Sequence, residues 1–376
     1  MKIESLKIGV DIRELQNDMM TGMGRYLLNF LETAPQCKPE WEFILFCNQN
    51  TTLGVINDNF KKVVIREGLT FYWDQIKLPL ALRKEKIDLF LSPYNKAPII
   101  SPCRVIITIH DLAPFLSFFP QRPRNPLFIS LQKTLNNLMA KRADLIITVS
   151  NNSKKDIICL FNVAEEKIKV VYNGVGERFY PIKDKVILDS VRKRHGIAKD
   201  YILYIGNLKP HKNVPGLINA YNMLPENLKD NYQLVIVGKK DKNFACLFNL
   251  VRTLRILDKV VFIDFVRDED MPSLYSSATI FVFPSFYEGF GLPVLEAMAC
   301  GVPVITSRLA SLPEVVDDAA NLVNPRDTKE IGMAIEKLLV DSSLRGDLVA
   351  RGLVQSSNFS LDKTVKNILY VIENSL

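Results

Sequence analysis

Short apolar runs alternate with longer amphipathic segments along this chain of 376 residues. The runs have the length of strands that are buried on both faces, and the segments between them are long enough for helices. Strands that alternate with helices form a parallel, doubly wound sheet, so the pattern predicts an α/β protein. The predicted strands are Lys7–Ile12, Glu42–Cys47, Lys62–Ile65, Ile87–Leu91, Arg104–Ile109, Asp144–Val149, Lys167–Val171, Tyr201–Ile205, Gln233–Val237, Lys259–Ile263, Ala278–Phe283 and Val302–Thr306.

One of the predicted helices, residues 125–142, carries a stripe of leucines and three basic residues off that stripe. The stripe consists of Leu127, Leu131, Leu135 and Leu138, and the basic residues are Lys133, Lys141 and Arg142. Two explanations fit this pattern: the leucines pack on the sheet, or the helix lies at a membrane surface and binds anionic lipid. We favour packing, because the predicted sheet needs helices to cover it.

Chain length and a change of composition predict two domains. A chain of 376 residues is long for one domain, and residues 176–199 are rich in charged side chains. We predict a first domain over residues 1–180, a linker over residues 181–199 and a second domain over residues 200–360. His195 lies in the charged stretch, and we expect its side chain to be exposed.

The net charge of +7 is carried mostly by the first part of the chain. Residues 1–180 contain 24 basic and 18 acidic residues, whereas residues 181–376 contain 24 and 23. A basic surface suits nucleic acid, an anionic membrane or a phosphorylated acceptor, although solubility alone also explains an excess of this size. We expect no nucleic-acid partner.

Composition also bears on compartment and metal binding. No apolar run approaches the roughly 20 residues that span a bilayer, and residues 1–7 lack the apolar core of a signal peptide. The six cysteines form no Cys-x-x-Cys pair, and only three histidines are present. We therefore expect a cytoplasmic protein with reduced thiols and no metal centre, peripheral on the inner face of the membrane if its basic domain binds there.

The stretch from Ser285 to Glu296 is the strongest candidate for a binding site. The run Ala278–Phe283 enters it as a buried strand, and a short helix is predicted between Pro293 and Gly301. A glycine-containing loop at the carboxyl end of a parallel strand is where open α/β sheets bind ligands, and the free amides of a helix start attract an anion. Two carboxylates, Glu288 and Glu296, could hold two hydroxyl-rich parts of one ligand.

This stretch resembles a known signature. Glu288-Gly289-Phe290-Gly291-Leu292-Pro293 followed by Glu296 is similar to the Glu-x7-Glu motif of retaining glycosyltransferases of the GT-B fold, in particular family 4. The resemblance implies that Glu288 binds the transferred sugar, that Glu296 binds the ribose of the nucleotide, and that the residues between them line the donor site. A capped helix with incidental charges is the alternative.

A second motif, Gly206-Asn207-Leu208-Lys209-Pro210-His211-Lys212-Asn213, is similar to the donor-phosphate loop of that family. The resemblance implies that Gly206, Asn207 and Lys212 contact the donor diphosphate. Many members have arginine where this chain has Asn207, and Lys209, His211 or Arg25 are candidates to replace it. A solvated loop lysine is the alternative for Lys212.

Two motifs in the first domain complete the resemblance, which extends over about residues 7–370. Gly22-Met23-Gly24-Arg25-Tyr26 is similar to the family's loop that reaches toward the donor diphosphate, although a turn and a helix start also explain it. His110-Asp111 follows a predicted strand, and the resemblance places His110 beside the reacting sugar with Asp111 as an orienting group. Asp111 could instead cap the next segment.

The resemblance implies a GT-B enzyme with two Rossmann-like domains whose parallel sheets face an interdomain cleft, and a C-terminal helix, 361–376, that returns to the first domain. It implies transfer of a hexose from a GDP-, UDP- or dTDP-sugar, with retention and without a metal or other cofactor, to a glycan or a polyprenyl-diphosphate-linked saccharide. We favour GDP-mannose and cell-surface polysaccharide synthesis. The alternatives are a nucleotide-sugar 2-epimerase of the same fold and a non-catalytic sugar-nucleotide-binding subunit.

Asp268-Glu269-Asp270 formally spells a metal-binding Asp-x-Asp, but acidic residues at a helix start explain it.

Overall fold

The structure, a computed structural model, describes residues 5–16, 22–55, 57–116, 126–240 and 243–375. These residues form two compact units. The first contains the described residues up to 116, residues 126–173 and the residues from 361 onward, and the second contains residues 174–360. The predicted linker, residues 181–199, lies within the second unit and contains a helix.

Seven parallel strands from the described part of the chain form the sheet of the first unit, in the order β3-β2-β1-β4-β5-β6-β7. The central strands are almost wholly apolar because they are covered on both faces, whereas the edge strand β3 contains two lysines. The strands are β1 Lys7–Asp11, β2 Glu42–Cys47, β3 Phe60–Val64, β4 Leu89–Ser92, β5 Arg104–Ile109, β6 Leu145–Thr148 and β7 Ile168–Val170.

Helices cover this sheet in two layers. On one face the core joins strand residues such as Ile8 and Val10 to Phe30 of the first helix and Ile368 of the last. On the other face Trp73, Leu82 and Ala140 pack against the same sheet. The helices are α1 Gly22–Cys37, α2 Thr70–Tyr72, α3 Leu78–Glu85, α4 Pro126–Arg142 and α5 Asn151–Phe161, and residues Trp73–Lys77 between α2 and α3 form a π-helical turn.

The sheet of the second unit has six parallel strands in the order β10-β9-β8-β11-β12-β13. The strands are β8 Asp200–Ile205, β9 Tyr232–Val237, β10 Val260–Ile263, β11 Ile280–Phe283, β12 Val304–Ser307 and β13 Asn321–Val323. The helices are α6 Lys185–Arg194, α7 Val214–Asn222, α8 Glu226–Asn231, α9 Phe244–Thr253, α10 Met271–Ser276, α11 Leu292–Ala299, α12 Leu312–Val316, α13 Thr328–Val340 and α14 Ser342–Ser357. The final helix, α15 (Leu361–Glu373), belongs to the first unit, where the Thr364 hydroxyl donates to the Tyr172 carbonyl at 2.9 Å.

The alternating pattern predicted every strand except β13, and the α/β fold class is confirmed. Strand β13 has only three residues, of which Val323 alone is fully buried, so it carries no clear apolar run. No described helix is both long and apolar enough to cross a membrane.

The predicted orientation of α4 is wrong. Leu127, Leu131 and Leu138 are 77%, 58% and 39% exposed, whereas Met139, Ala140 and the following Ala143 are buried. Small side chains at the end of the helix let its backbone approach the sheet, and this contact turns the leucine stripe outward.

Candidate functional site

The two loops singled out from the sequence follow neighbouring strands of the second unit. Strand β8 pairs with β9 on one side and with β11 on the other, so the order of the strands reverses between β8 and β11. Loops at the carboxyl ends of two such strands diverge and leave a crevice, where α/β sheets bind ligands. The loop 206–213 and the loop 284–291 meet at this point.

The loop after β8 is shaped by local hydrogen bonds that bring Lys212 inward. The Tyr204 hydroxyl donates to the Asn207 carbonyl at 2.9 Å, and residues Pro210–Lys212 form one turn of 3₁₀-helix. Asn213 then adopts the left-handed conformation, with φ of 57°, and donates from its side chain to the Pro325 carbonyl at 2.6 Å. Lys212 is consequently 9% exposed, although a lysine in a loop is normally solvated.

The loop after β11 turns sharply at Gly291, whose φ of 109° is unfavourable for any residue with a Cβ atom. A Cβ atom there would also lie 2.6 Å from Cδ2 of Leu312. The buried Ser311 hydroxyl lies 3.0 Å from the carbonyls of both Glu288 and Phe290, and it can donate to either. Helix α11 starts directly after the turn with Pro293 in its first turn, as predicted.

An ion pair joins the two loops. The Lys212 ammonium donates to Oε1 and Oε2 of Glu288 at 2.6 and 2.7 Å, and both side chains are almost buried. The same ammonium lies 5.2 Å from the centre of the Phe283 ring. An ammonium has three N–H groups, and of the described residues only Glu288 accepts from this one. One donor of Lys212 is therefore available to a bound anion.

Backbone contacts reinforce this pair. The Ser285 hydroxyl lies 2.9 Å from the His211 carbonyl and 3.0 Å from the Tyr287 carbonyl, and the Phe286 amide donates to the His211 carbonyl at 2.8 Å. These bonds fix the spacing of the two loops, so the positions of Lys212 and Glu288 do not depend on the ion pair alone.

Glu296 lies on the second turn of α11 and is 8% exposed. The Tyr275 hydroxyl of α10 donates to its Oε2 atom at 2.9 Å, which holds the carboxylate in one orientation. Burial, together with the Glu296 charge, raises the pKa of the neighbouring Cys300 thiol to about 12. The Cys300 thiol therefore stays protonated at neutral pH and adds no second negative charge beside Glu296.

Close backbone approach explains a glycine at the end of β9. A Cβ atom at Gly238 would lie 2.2 Å from the Gly206 carbonyl oxygen, a contact that no side chain can make. The Gly206 amide donates to the Val237 carbonyl at 3.0 Å. Gly206 thus lies at the base of the Lys212 loop with its backbone held in place.

Asn207 does not supply the positive charge that arginine provides in many family members. Its Oδ1 atom accepts from the Lys209 amide at 3.3 Å, so the side chain closes its own loop.

Phe290 is 4% exposed and packs edge to face on Phe359, with ring centres 5.8 Å apart. The Phe290 ring is therefore packed within the protein, whereas Gly289, Gly291 and Leu292 lie at the turn into α11.

His110, Gly22 and Gly24 belong to the first unit. His110 follows β5, and its Nε2 atom lies 2.9 Å from the Pro93 carbonyl, which can only accept. Burial lowers the pKa of the His110 imidazole, so the ring is neutral near neutral pH and Nδ1 carries the lone pair. Gly22 and Gly24 lie in the first turn of α1. The Tyr26 ring of the same helix packs edge to face on the His110 ring, with ring centres 4.9 Å apart.

The structure shows partners for Asp111 and His195. Asp111 accepts from the Ala113 amide at 2.9 Å, so it caps the next segment, as one of the two explanations proposed. The His195 side chain is only 12% exposed and lies 3.8 Å from Asp270, so the expectation of an exposed histidine is wrong. Burial lowers the pKa of His195. Asp270 lies at the N-cap position of α10, and its buried carboxylate also accepts from Arg194 and Arg267.

Sequence reasoning missed a buried charge cluster at the equivalent point of the first unit, where β1 pairs with β2 and β4. Arg13 donates from Nε and a terminal nitrogen to Asp11, and the same terminal nitrogen donates to Asp74 at 2.6 Å. Its guanidinium lies 3.5 Å from the centre of the Trp73 ring. No motif marked this cluster, because its members come from separate segments. Ser311 and Tyr275 were missed for the same reason.

Two sequence families match the chain in tandem. Glycosyltransferase family 4 matches residues 20–178, and glycosyl transferases group 1 matches residues 189–353. Over 259 residues the chain is 38% identical to O-antigen chain mannosyltransferase B of Escherichia coli, covering 68% of this chain and 67% of that protein. The chain therefore belongs to the family of glycosyltransferases that combine these two domains.

Further similarities agree with this assignment. This glycosyltransferase is 31% identical over 267 residues to O-antigen chain mannosyltransferase RfbU of Salmonella typhimurium, covering 71% of this chain and 69% of the relative. Its structure is similar to sucrose-phosphate synthase from Thermosynechococcus elongatus, with a TM-score of 0.78, 18% identity and 98% coverage of both chains. The GT-B fold that the sequence motifs implied is confirmed.

Proposed function

We propose that this glycosyltransferase moves mannose from GDP-mannose to a hydroxyl of a glycan or of a polyprenyl-diphosphate-linked saccharide, in the synthesis of a cell-surface polysaccharide. The observation that carries the proposal is the Lys212–Glu288 pair, held at the point where the strand order of the second unit reverses. The choice of mannose is supported by the names of the two O-antigen relatives, and GDP is proposed as its carrier.

Departure of the nucleoside diphosphate is the step that this site would assist. As the bond between the sugar and the diphosphate breaks, negative charge develops on the leaving oxygen. The free N–H of Lys212 would donate to that diphosphate, and the N-terminal end of α11 would add partial positive charge. Because the ammonium and its surroundings are already fixed, little reorganisation would be needed, and we propose that transfer proceeds without a metal.

The two glutamates would orient the donor. Each Glu288 oxygen accepts one bond from Lys212 and keeps a lone pair for a sugar hydroxyl. The Tyr275 bond to Oε2 would hold the Glu296 carboxylate in position to accept from the ribose hydroxyls. We propose retention, with the acceptor hydroxyl attacking on the face that the leaving group vacates.

The first unit would bind the acceptor. The neutral His110 ring has an Nδ1 lone pair that can accept from a hydroxyl of the reacting sugar. The N-terminal end of α1, where Gly22 and Gly24 lie, would attract an anionic group through its partial positive charge. These roles, like those of Gly206 and Asn207, are proposed on the family resemblance together with their positions at strand ends.

A thermal-shift panel of GDP-, UDP- and dTDP-sugars tests the donor, since a ligand that binds only the folded protein raises its apparent stability. We expect GDP-mannose to give the largest shift and the shift to be smaller with Glu288→Gln. Incubation of GDP-mannose with a polyprenyl-diphosphate-linked saccharide should then release GDP and form an α-linked product, visible in its anomeric NMR coupling, with EDTA present or absent.

Three results would contradict the proposal. Isomerisation of the donor without an acceptor would identify an epimerase. Donor binding without turnover by any acceptor tested would favour a sugar-nucleotide-binding subunit. Wild-type transfer rates with Glu288→Ala would show that the assigned site is not the reactive one.

A further inference from the structure

Three neighbouring segments of the first unit expose large apolar side chains that the core does not use. They are the helical segment from α2 to α3, the loop before β5 and helix α4. Each side chain is at least 39% exposed, and Ile100 reaches 82%. We call them the apolar patch: Leu69, Phe71, Tyr72, Ile76, Leu80, Ile100, Phe128, Leu131 and Leu138.

Hydrogen bonds connect the three segments into one surface. The Gln75 side chain donates to the Ala97 carbonyl at 3.1 Å and accepts from the Ile99 amide at 2.9 Å, which attaches the loop to the α2–α3 segment. On its other side the loop is bonded to α4, because Asn95 donates to Asn136 at 2.5 Å. The inner faces of both helical segments contribute to one core layer, so their outer faces lie on the same side of the sheet.

The two helical segments that carry most of the patch have an excess of basic residues. The helical segments Thr70–Glu85 and Pro126–Arg142 contain six basic and two acidic residues, and α4 contains no acidic residue. Both acids are already neutralised, since Asp74 is bonded to Arg13 and Glu85 to Lys61. The six basic residues are Lys77, Arg83, Lys84, Lys133, Lys141 and Arg142.

This combination fits one kind of occupant. The cores of protein–protein interfaces are depleted in lysine, whereas surfaces that lie in the headgroup region of a bilayer combine aromatic and aliphatic side chains with lysine and arginine. Each basic residue near an anionic leaflet adds attraction, and apolar side chains add insertion. The exposure of Leu131 and Leu138 argues against packing on the sheet and agrees with the lipid explanation.

We propose that the apolar patch docks the first unit on an anionic phospholipid bilayer. The purpose of this docking rests on the proposed function, because an acceptor carried by a polyprenyl diphosphate is presented at a membrane. Docking itself requires no sugar transfer and is measured without donor or acceptor.

The test is flotation of the full-length protein with vesicles of phosphatidylcholine alone or of phosphatidylcholine mixed with phosphatidylglycerol. We expect binding to the anionic vesicles only, weakened by salt. Phe71→Ser with Leu131→Ser should lower the partition coefficient by about tenfold or more, because each substitution removes an inserted side chain. Lys141→Gln with Arg142→Gln should lower it by about fivefold for each charge removed.

Phe265→Ser is the matched control, since Phe265 is 76% exposed on the second unit, outside the patch. It should float like the wild type, and circular dichroism should show all variants folded. The proposal is overturned by three results: no flotation with anionic vesicles, equal flotation of the patch variants, or a dimer in the absence of lipid that the same substitutions dissociate. The last result would assign the patch to a second copy of the chain.

Discussion

Each unit has a buried cation at the point where its strand order reverses, but the two cations have different numbers of partners. In the first unit Arg13 is bonded to Asp11 and Asp74, and its planar face lies on Trp73. In the second unit Lys212 is bonded only to Glu288 among the described residues, and it keeps an N–H group that the protein does not use.

This difference separates a structural cation from a binding one. The Arg13 guanidinium binds two carboxylates, lies 3.5 Å from a third at Glu67 and stacks on Trp73, so it fixes the segments around it. An ammonium held by one carboxylate is positioned but still able to bind an anion. The comparison predicts that removing Arg13 mainly lowers stability and that removing Lys212 mainly lowers activity.

The largest effect is expected for Arg13→Met, which leaves Asp11 and Asp74 buried without their partner. The free energy of unfolding of the first unit should fall by about 3–5 kcal/mol. Urea unfolding followed by tryptophan fluorescence measures it, because both tryptophans, Trp41 and Trp73, lie in that unit. Arg104→Met, an exposed arginine of the same unit, is the control. Equal midpoints for the two variants would show that the Arg13 cluster is not structural.

Lys212→Ala should lower kcat by about 10²–10³-fold, the effect of removing one fixed donor to a developing negative charge. Steady-state release of GDP measures it, with Lys329→Ala on α13 as an exposed lysine control in the same unit. A loss of less than tenfold for Lys212→Ala would place the anion-binding role elsewhere in the second unit.

Tyr275→Phe should weaken donor binding about fivefold, because Glu296 loses one hydrogen bond worth about 1 kcal/mol and with it a fixed orientation. Tyr221→Phe is the matched control: its hydroxyl donates to the Tyr232 carbonyl at 2.8 Å, so it also loses a buried bond. Calorimetric titration with GDP-mannose should distinguish the two. If both variants bind alike, Tyr275 contributes only to stability.

The smallest effect concerns pH. Because burial lowers the pKa of folded His110, the unfolded chain binds a proton that the folded chain does not, once the pH falls below the ordinary value of 6.5. Stability of the first unit should therefore decrease as pH is lowered below that value, by at most about 1.4 kcal/mol per pH unit. His110→Gln should reduce this slope in tryptophan-monitored unfolding, whereas His195→Gln, in the second unit, should not. An unchanged slope with His110→Gln would contradict a neutral buried ring.

Much of the fold could be predicted because strands buried on both faces are continuous apolar runs, whatever their order in the sheet. The order itself depends on which strands pair, and that decides the site. Lys212 and Glu288 are 76 residues apart and meet only because β11 pairs with β8. The two loops could therefore be predicted separately, but their ion pair could not.

The sequence was least informative where small side chains decide the packing. The leucine stripe of α4 is a strong pattern, yet Ala140 and Ala143 determine which face reaches the sheet. Tyr275 lies on a short buried helix with no distinguishing motif, and only the fold brings its hydroxyl to Glu296. Predicting these contacts requires the packing of elements that are distant in sequence.

The most direct test compares the binding of a nucleoside diphosphate with that of its monophosphate, GDP and GMP in our proposal. Calorimetric titration of the wild type and of Lys212→Ala separates the contribution of the second phosphate. We predict that the substitution weakens GDP binding by at least about tenfold, because one charge-assisted hydrogen bond is lost. GMP binding should remain nearly unchanged. Unchanged GDP affinity in Lys212→Ala would contradict the claim that the second unit holds the leaving diphosphate through this lysine.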